Sequence, residues 1–143
     1  MTTPAEPTHT TRELPTVLVI DDEPGVRLSL KSILSDRFTV VACVDGEQAI
    51  DYARDHPGRV YAAIVDYAMS GMDGDCVCSE LRCLDRTISL VGLSADRDAP
   101  FRGPLVARLW KKDASPGHVI ATTVAAVQTT EQLRKSWTEF PGR

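Results

Sequence analysis

Apolar residues along the chain fall into short continuous blocks separated by longer amphipathic stretches. The blocks TVLVI (16–20), FTVVAC (38–43), YAAIV (61–65), ISLVGL (88–93) and VARLW (106–110) are five candidate strands. Four of them are nearly unbroken and rich in β-branched residues, the pattern of strands covered on both faces, as in a parallel sheet flanked by helices. The stretches between them repeat at helical spacing. Val26, Leu30, Ile33 and Leu34 make one stripe, Ala49, Ile50 and Ala53 a second, Val77, Leu81 and Leu84 a third, and Ile120, Val124 and Val127 a fourth. Ser115 is the expected cap of the last helix and Pro116 its first residue.

One connection breaks the rhythm. SADRDAPFRGPL carries Pro100, Gly103 and Pro104 within five residues, so a full helix is not expected between the fourth and fifth strands. The order is then βαβαβαβ, an irregular link, and βα, which right-handed crossovers turn into an α/β fold with a doubly wound, five-stranded parallel sheet. The domain is assigned to residues 16–127, with a flexible Thr- and Pro-rich lead over 1–15. Residues 128–143 either prolong the last helix, since Leu133 and Trp137 are four apart, or form a tail.

Composition narrows the function. The 143 residues suit one domain, and a net charge of -4 with 25% charged residues argues against a large surface for nucleic acid or anionic membrane. No window approaches the roughly 18 apolar residues of a membrane span, and the opening MTTPAEPTHTTRELP lacks a secretory build, so a cytoplasmic protein without membrane insertion is expected. Cys43, Cys76, Cys78 and Cys83 do not suggest a disulfide framework, and CVCSELRC lacks the spacing of a tetrahedral zinc site. They are expected to be buried or half-buried thiols.

In open parallel sheets the working residues gather beyond the carboxyl ends of the strands. The first strand exits into Asp21, Asp22 and Glu23, an acid run that reads either as helix capping or as a cation site. The third exits into Asp66, which comes to lie beside those acids if strand one neighbours strand three. Hard carboxylate oxygens then favour Mg²⁺, with Mn²⁺ or Ca²⁺ next. Asp66 in such a triad is a candidate nucleophile able to form an aspartyl-phosphate. Ser94 at the fourth exit offers a hydroxyl to a phosphoryl oxygen, and one of Lys111 and Lys112 at the fifth offers a point charge. Strand alternation lets only one of that pair face the site.

The stretches VLVIDDEPGVR, IVDYAMSGMDG and VGLSAD, with a lysine ahead of a final helix, resemble in order the receiver domain of two-component response regulators, over roughly residues 16–127. The resemblance implies a CheY-like sheet of order 2-1-3-4-5. It makes Asp66 the phosphoacceptor, Asp21, Asp22, Asp66 and the Ala68 backbone carbonyl the Mg²⁺ ligands, and Ser94 the hydroxyl that senses the phosphoryl group. Counted back from Ser115, Pro116 and Val119, the family's spacing selects Lys112 as the conserved-type lysine and leaves Lys111 facing solvent. A sensor histidine kinase or phosphotransfer protein is the implied donor and a downstream protein the implied receiver of the signal, with oligomeric state left open. The chain is expected to be a phosphoacceptor rather than a turnover enzyme, and to stand alone without an output domain.

Four departures concern output. With Lys112 as reference, Leu109 takes the place of the usual aromatic switch residue, and the helix between the fourth and fifth strands is short or lost. Ser70 replaces the usual proline after Met69, and Asp113 the proline after the lysine, so the latter loop is expected to be trans or to take another path. Ala68 and Asp96 flank the approach of water and are expected to tune phosphoryl lifetime. The principal alternative is a receiver-like binding module that no longer switches and serves as a constitutive adaptor. A flavodoxin-like flavoprotein is disfavoured because DDEPG would repel a flavin phosphate. An aspartate-dependent phosphatase wants Asp-x-Asp where this chain has adjacent acids.

Overall fold

The computed structural model describes residues 13–139; the part of the lead over 1–12 and the end of the tail over 140–143 lie outside the described residues. Five strands, β1 (Thr16–Ile20), β2 (Thr39–Cys43), β3 (Val60–Asp66), β4 (Ser89–Ser94) and β5 (Ala107–Trp110), form one parallel sheet in the order β2-β1-β3-β4-β5. The helices are α1 (Pro24–Leu34), α2 (Gly46–Asp55), α3 (Gly74–Leu84) and α4 (Pro116–Glu139). All five residues of β1 are buried, because the central strand is covered on both sides. The doubly wound class expected from the apolar blocks and the order 2-1-3-4-5 implied by the resemblance are therefore those of the molecule.

Strand alternation splits the core in two. Leu18, Ile20, Ala63 and Val65 face α2 and α3 with Ile50, Val77 and Leu81. Val17, Val19, Ile64, Leu93 and Leu109 face α1 and α4 with Leu30, Leu34, Val119 and Val127. Side-chain caps start α2, α3 and α4, and the Ser115 cap is the one expected from the sequence. The Asp45 side chain accepts from Gln48 N–H, Asp73 from Cys76 N–H, and Ser115 Oγ from His118 N–H. Leu84, expected on the buried face of α3, is 41% exposed at that helix's last residue. Cys43 and Cys78 are buried, which pushes their thiols up to about 11 and about 12, whereas Cys76 and Cys83 are exposed, contrary to the expectation for all four.

No helix joins β4 to β5. Residues 95–106 instead run as a strap whose Ala99, Phe101 and Leu105 cover the sheet on the α3 side. Gly92 makes this possible, since a Cβ there would lie 2.8 Å from the Phe101 ring and 2.9 Å from Leu105. α3 fastens the strap. Asp75 Oδ1 accepts from the backbone N–H of Arg102 (2.9 Å) and Gly103 (3.3 Å), and Arg82 donates to the Pro104 carbonyl at 2.9 Å.

The last helix continues to Glu139, well past the core stripe. Polar groups rather than Leu133 and Trp137 hold this extension, both of which are exposed. Thr130 Oγ1 donates within reach of the Tyr61 and Thr87 carbonyls and also meets Ser89 Oγ. Arg134 reaches the Gly58 and Val60 carbonyls and Asp85, and lies over the Tyr61 ring. Arg134→Ala is expected to lower stability by about 2 kcal/mol, the scale of charge-assisted hydrogen bonds lost together, read as a lower urea midpoint; an unchanged midpoint would mean the extension is not docked in solution.

Candidate functional site

The carboxyl ends of β1, β3, β4 and β5 carry the residues of interest. Asp21 follows β1 and is fully buried. Its Oδ1 accepts from Glu23 N–H at 2.9 Å, and its backbone carbonyl accepts from Arg27 Nη1 at 2.8 Å, so the turn into α1 is tied on both sides. Asp66 ends β3 and is 2% exposed. Gly74 lets α3 start directly over it, since a Cβ there would come within 2.3 Å of the Asp66 carbonyl. Asp22 is exposed, and its Oδ2 accepts from Ser70 N–H at 3.3 Å and Ser70 Oγ at 3.5 Å. One carboxylate oxygen from each of Asp21, Asp22 and Asp66 lies within 4.8 Å of the others.

Lys111, not Lys112, enters this cluster. Its Nζ stands 3.1 Å from Asp21 Oδ2, 3.3 Å from Asp66 Oδ2 and 3.5 Å from Glu23 Oε1. The selection of Lys112 is corrected for a physical reason. Leu109 is buried under α1 and α4, and the residue two further on shares its side of the strand, which is Lys111. A single 3₁₀ turn, Lys111–Asp113, then lies before α4 and leaves Lys112 exposed, so a count back from the helix lands one residue late. The residue three before the site lysine is accordingly Arg108 rather than Leu109. Arg108 Nη1 donates to the Ala99 carbonyl at 2.8 Å and the guanidinium lies 5.5 Å from the Phe101 ring. The aromatic position is still without an aromatic. The residue after the site lysine is likewise Lys112 rather than Asp113, and the described residues hold no cis peptide bond, as expected for the altered loop.

Electrostatics follow from two buried carboxylates sharing one ammonium. Burial and the charge of Asp21 raise Asp66 from 3.8 to about 6, against the opposing pull of Lys111. Burial alone would lower Lys111, but the contacts with Asp21 and then Asp66 leave it raised. Asp21 Oδ2 lies at hydrogen-bonding distance from Lys111 without the alignment, and is a buried oxygen with no hydrogen-bond partner among the described residues. An unsatisfied buried carboxylate oxygen beside two other carboxylates is what a hard dication would complete, so the donor set fits Mg²⁺.

Ser94 ends β4 opposite Trp110 and half-buried. Its Oγ accepts from Asp96 N–H at 2.9 Å, which leaves its own proton available. Beside it the strap borders an open pocket of about 360 Å³ lined by Arg97, Phe101, Arg108 and Trp110 among others. Composition and apolar pattern did not point to Arg27, Arg108 or the Ser70 contact. Only the parity shared by Leu109 and Lys111 was available in the sequence as a signal for the right lysine.

Fold and site define a flavodoxin-like α/β protein with a buried-carboxylate site at one edge of its sheet. The family model described as response regulator receiver domain matches residues 17–107, and the chain belongs to that family, whose members bind Mg²⁺ at an acidic pocket. It is 36% identical over 88 residues to a probable transcriptional regulator, ycf27, of Porphyridium aerugineum, covering 60% of this chain and 35% of the relative. It is 30% identical over 80 residues to response regulator RppA of Synechocystis, covering 55% and 34%. The chain thus matches about a third of the length of these relatives. Among solved structures, a CheY-like receiver domain of Methanospirillum hungatei superimposes with TM-score 0.72 at 25% identity, covering 82% of this chain and 98% of that one. A Rhodopirellula baltica chain described as adenylate cyclase does so with TM-score 0.81 at 20% identity, covering 91% and 99%, a likeness of fold alone. No helix among the described residues is long and apolar enough to cross a membrane.

Proposed function

We propose that the protein accepts a phosphoryl group on Asp66 from a phosphohistidine of a sensor kinase or phosphotransfer protein, and signals through a changed protein contact. The observation that carries this is Asp66 itself, a buried carboxylate at a strand end, beside Asp21 and 3.3 Å from a lysine ammonium. An Asp66 oxygen attacks phosphorus, the new P–O bond forms as the P–N bond breaks, and the imidazole leaves with a proton. Asp21, Asp22 and Asp66, with the Ala68 carbonyl, would hold Mg²⁺, which neutralises charge on the phosphoryl oxygens. Near neutral pH Asp66 is mostly ionised, even with its raised value of about 6, and so remains nucleophilic. Lys111 supplies positive charge to one phosphoryl oxygen, and Ser94 has its hydroxyl proton to give to another.

Intact-mass analysis with acetyl phosphate and Mg²⁺ tests the reading. A single phosphoryl adduct is expected on the wild type and none when Mg²⁺ is chelated. An adduct indifferent to Mg²⁺, or none under any condition, would count against it.

A second reading, the non-switching module, is favoured by one contact: Arg108 is fastened to the strap at the Ala99 carbonyl, with no rotating ring in its place. Amide exchange over residues 95–106 separates the two. Faster or slower exchange after phosphorylation supports a switch, and identical exchange supports the adaptor.

A further inference from the structure

We infer that Ser70 is a positioning residue for Asp22, and that this chain's affinity for Mg²⁺ depends on it. The inference rests on the cation reading of the site. Of the three clustered acids, Asp21 and Asp66 are buried and share Lys111, whereas Asp22 is exposed. An exposed carboxylate left to itself samples several rotamers, and holding one of them costs entropy when a cation arrives. Here the loop after β3 supplies the restraint. Ser70 N–H and Ser70 Oγ both donate to the same oxygen, Asp22 Oδ2, across 48 residues of sequence.

The restraint is particular to a non-proline residue at position 70. Proline, the residue the family resemblance leads one to expect there, has neither the N–H nor the hydroxyl. The following Gly71 adopts φ +78°, so the loop turns back sharply just after Ser70 and presents both donors toward the β1 exit. Ser70 thereby ties the two loops that carry the acids, and does so by neutral hydrogen bonds that leave the negative charge of Asp22 undiminished. Groups that orient a metal ligand in this way typically change affinity by about 10–100-fold when removed. The bonds at 3.3 and 3.5 Å are long, which places the expected effect at the low end.

Calorimetric titration of the full chain with Mg²⁺ alone, without phosphodonor, tests this. Ser70→Pro is expected to weaken binding about tenfold. Ser70→Ala, which retains the N–H, should lose about two- to threefold, and Ser70→Thr, which retains both donors, should match the wild type. Melting temperatures in chelator should agree among wild type, Ser70→Ala and Ser70→Thr, because the restraint acts on the ligand and not on the core. Equal Mg²⁺ affinity of Ser70→Pro and Ser70→Ala with the wild type overturns the inference while leaving the cation reading intact. Loss of melting temperature in Ser70→Ala, in parallel with its affinity, overturns it in favour of a structural role. A wild type that binds no Mg²⁺ overturns both.

Discussion

Lys111→Met is expected to lower the stability of the metal-free protein by about 3–5 kcal/mol, the scale for removing one partner of a buried ion pair. Asp21 and Asp66 are both buried, and Lys111, itself 19% exposed in its side chain, is the cation between them. Methionine fills much of the same space without the charge, so two carboxylates are left a few ångströms apart with only Arg27 near the Asp21 backbone. Lys112→Met alters an exposed side chain and should move stability by no more than about 0.5 kcal/mol. Added Mg²⁺ should recover much of the Lys111→Met loss, because a ligand that binds the folded state alone stabilises it by mass action. It should also bind this variant more tightly than the wild type, having no ammonium to displace. Urea midpoints in chelator and in Mg²⁺ decide the matter. Equal losses for the two lysine variants would mean that the ammonium does not occupy the acid cluster in solution.

Asp66→Asn should abolish the phosphoryl adduct and, in chelator at pH 7.5, stabilise the fold by about 1–3 kcal/mol. The raised value of Asp66, from 3.8 to about 6, means that the folded carboxyl holds its proton more tightly than the unfolded one. Its contribution to stability is therefore complete below about pH 4 and is lost as pH rises through about 6. Asparagine removes the charge that causes the loss, so the gain should be large at pH 7.5 and shrink toward pH 5. Mg²⁺ should reverse the order of the two proteins, because it stabilises the wild type through a ligand that the variant lacks. A variant less stable than the wild type at pH 7.5 in chelator would show that the Lys111 contact outweighs burial and the repulsion from Asp21 together.

Parts of this site are visible in the bare sequence because they obey simple periodicities. The blocks ending at Ile20 and Val65 are continuous and apolar, so the acids that follow them stand out at strand exits, and the parallel order then brings Asp21, Asp22 and Asp66 together. The lysine was missed because two rulers disagree. Counting from α4 assumes a fixed loop, and the 3₁₀ turn over Lys111–Asp113 does not respect it, whereas parity with Leu109 depends only on the strand. The strap was legible as the absence of a helix, through Pro100, Gly103 and Pro104. That Phe101 and Leu105 would take over the covering role could not be read, since it depends on the chain folding back over β4, where Gly92 leaves room for both side chains. Docking of the last helix was hidden for a similar reason. Leu133 and Trp137 carry the visible apolar spacing, but Thr130 and Arg134 make the contacts, to backbone carbonyls that no sequence pattern marks.

Trp110 pairs with Ser94 in the sheet, donates its indole N–H to the Ala95 carbonyl at 2.9 Å, and has Arg97 stacked 4.2 Å from its ring centre. The chain's other tryptophan, Trp137, is half exposed on the far stretch of α4, past the Arg134 contacts at the opposite end of the sheet. One fluorophore thus sits at the β4 exit and the other at the remote helix end, so a rearrangement of Ser94 on phosphorylation is expected to change the emission of Trp110 and leave that of Trp137 as it was.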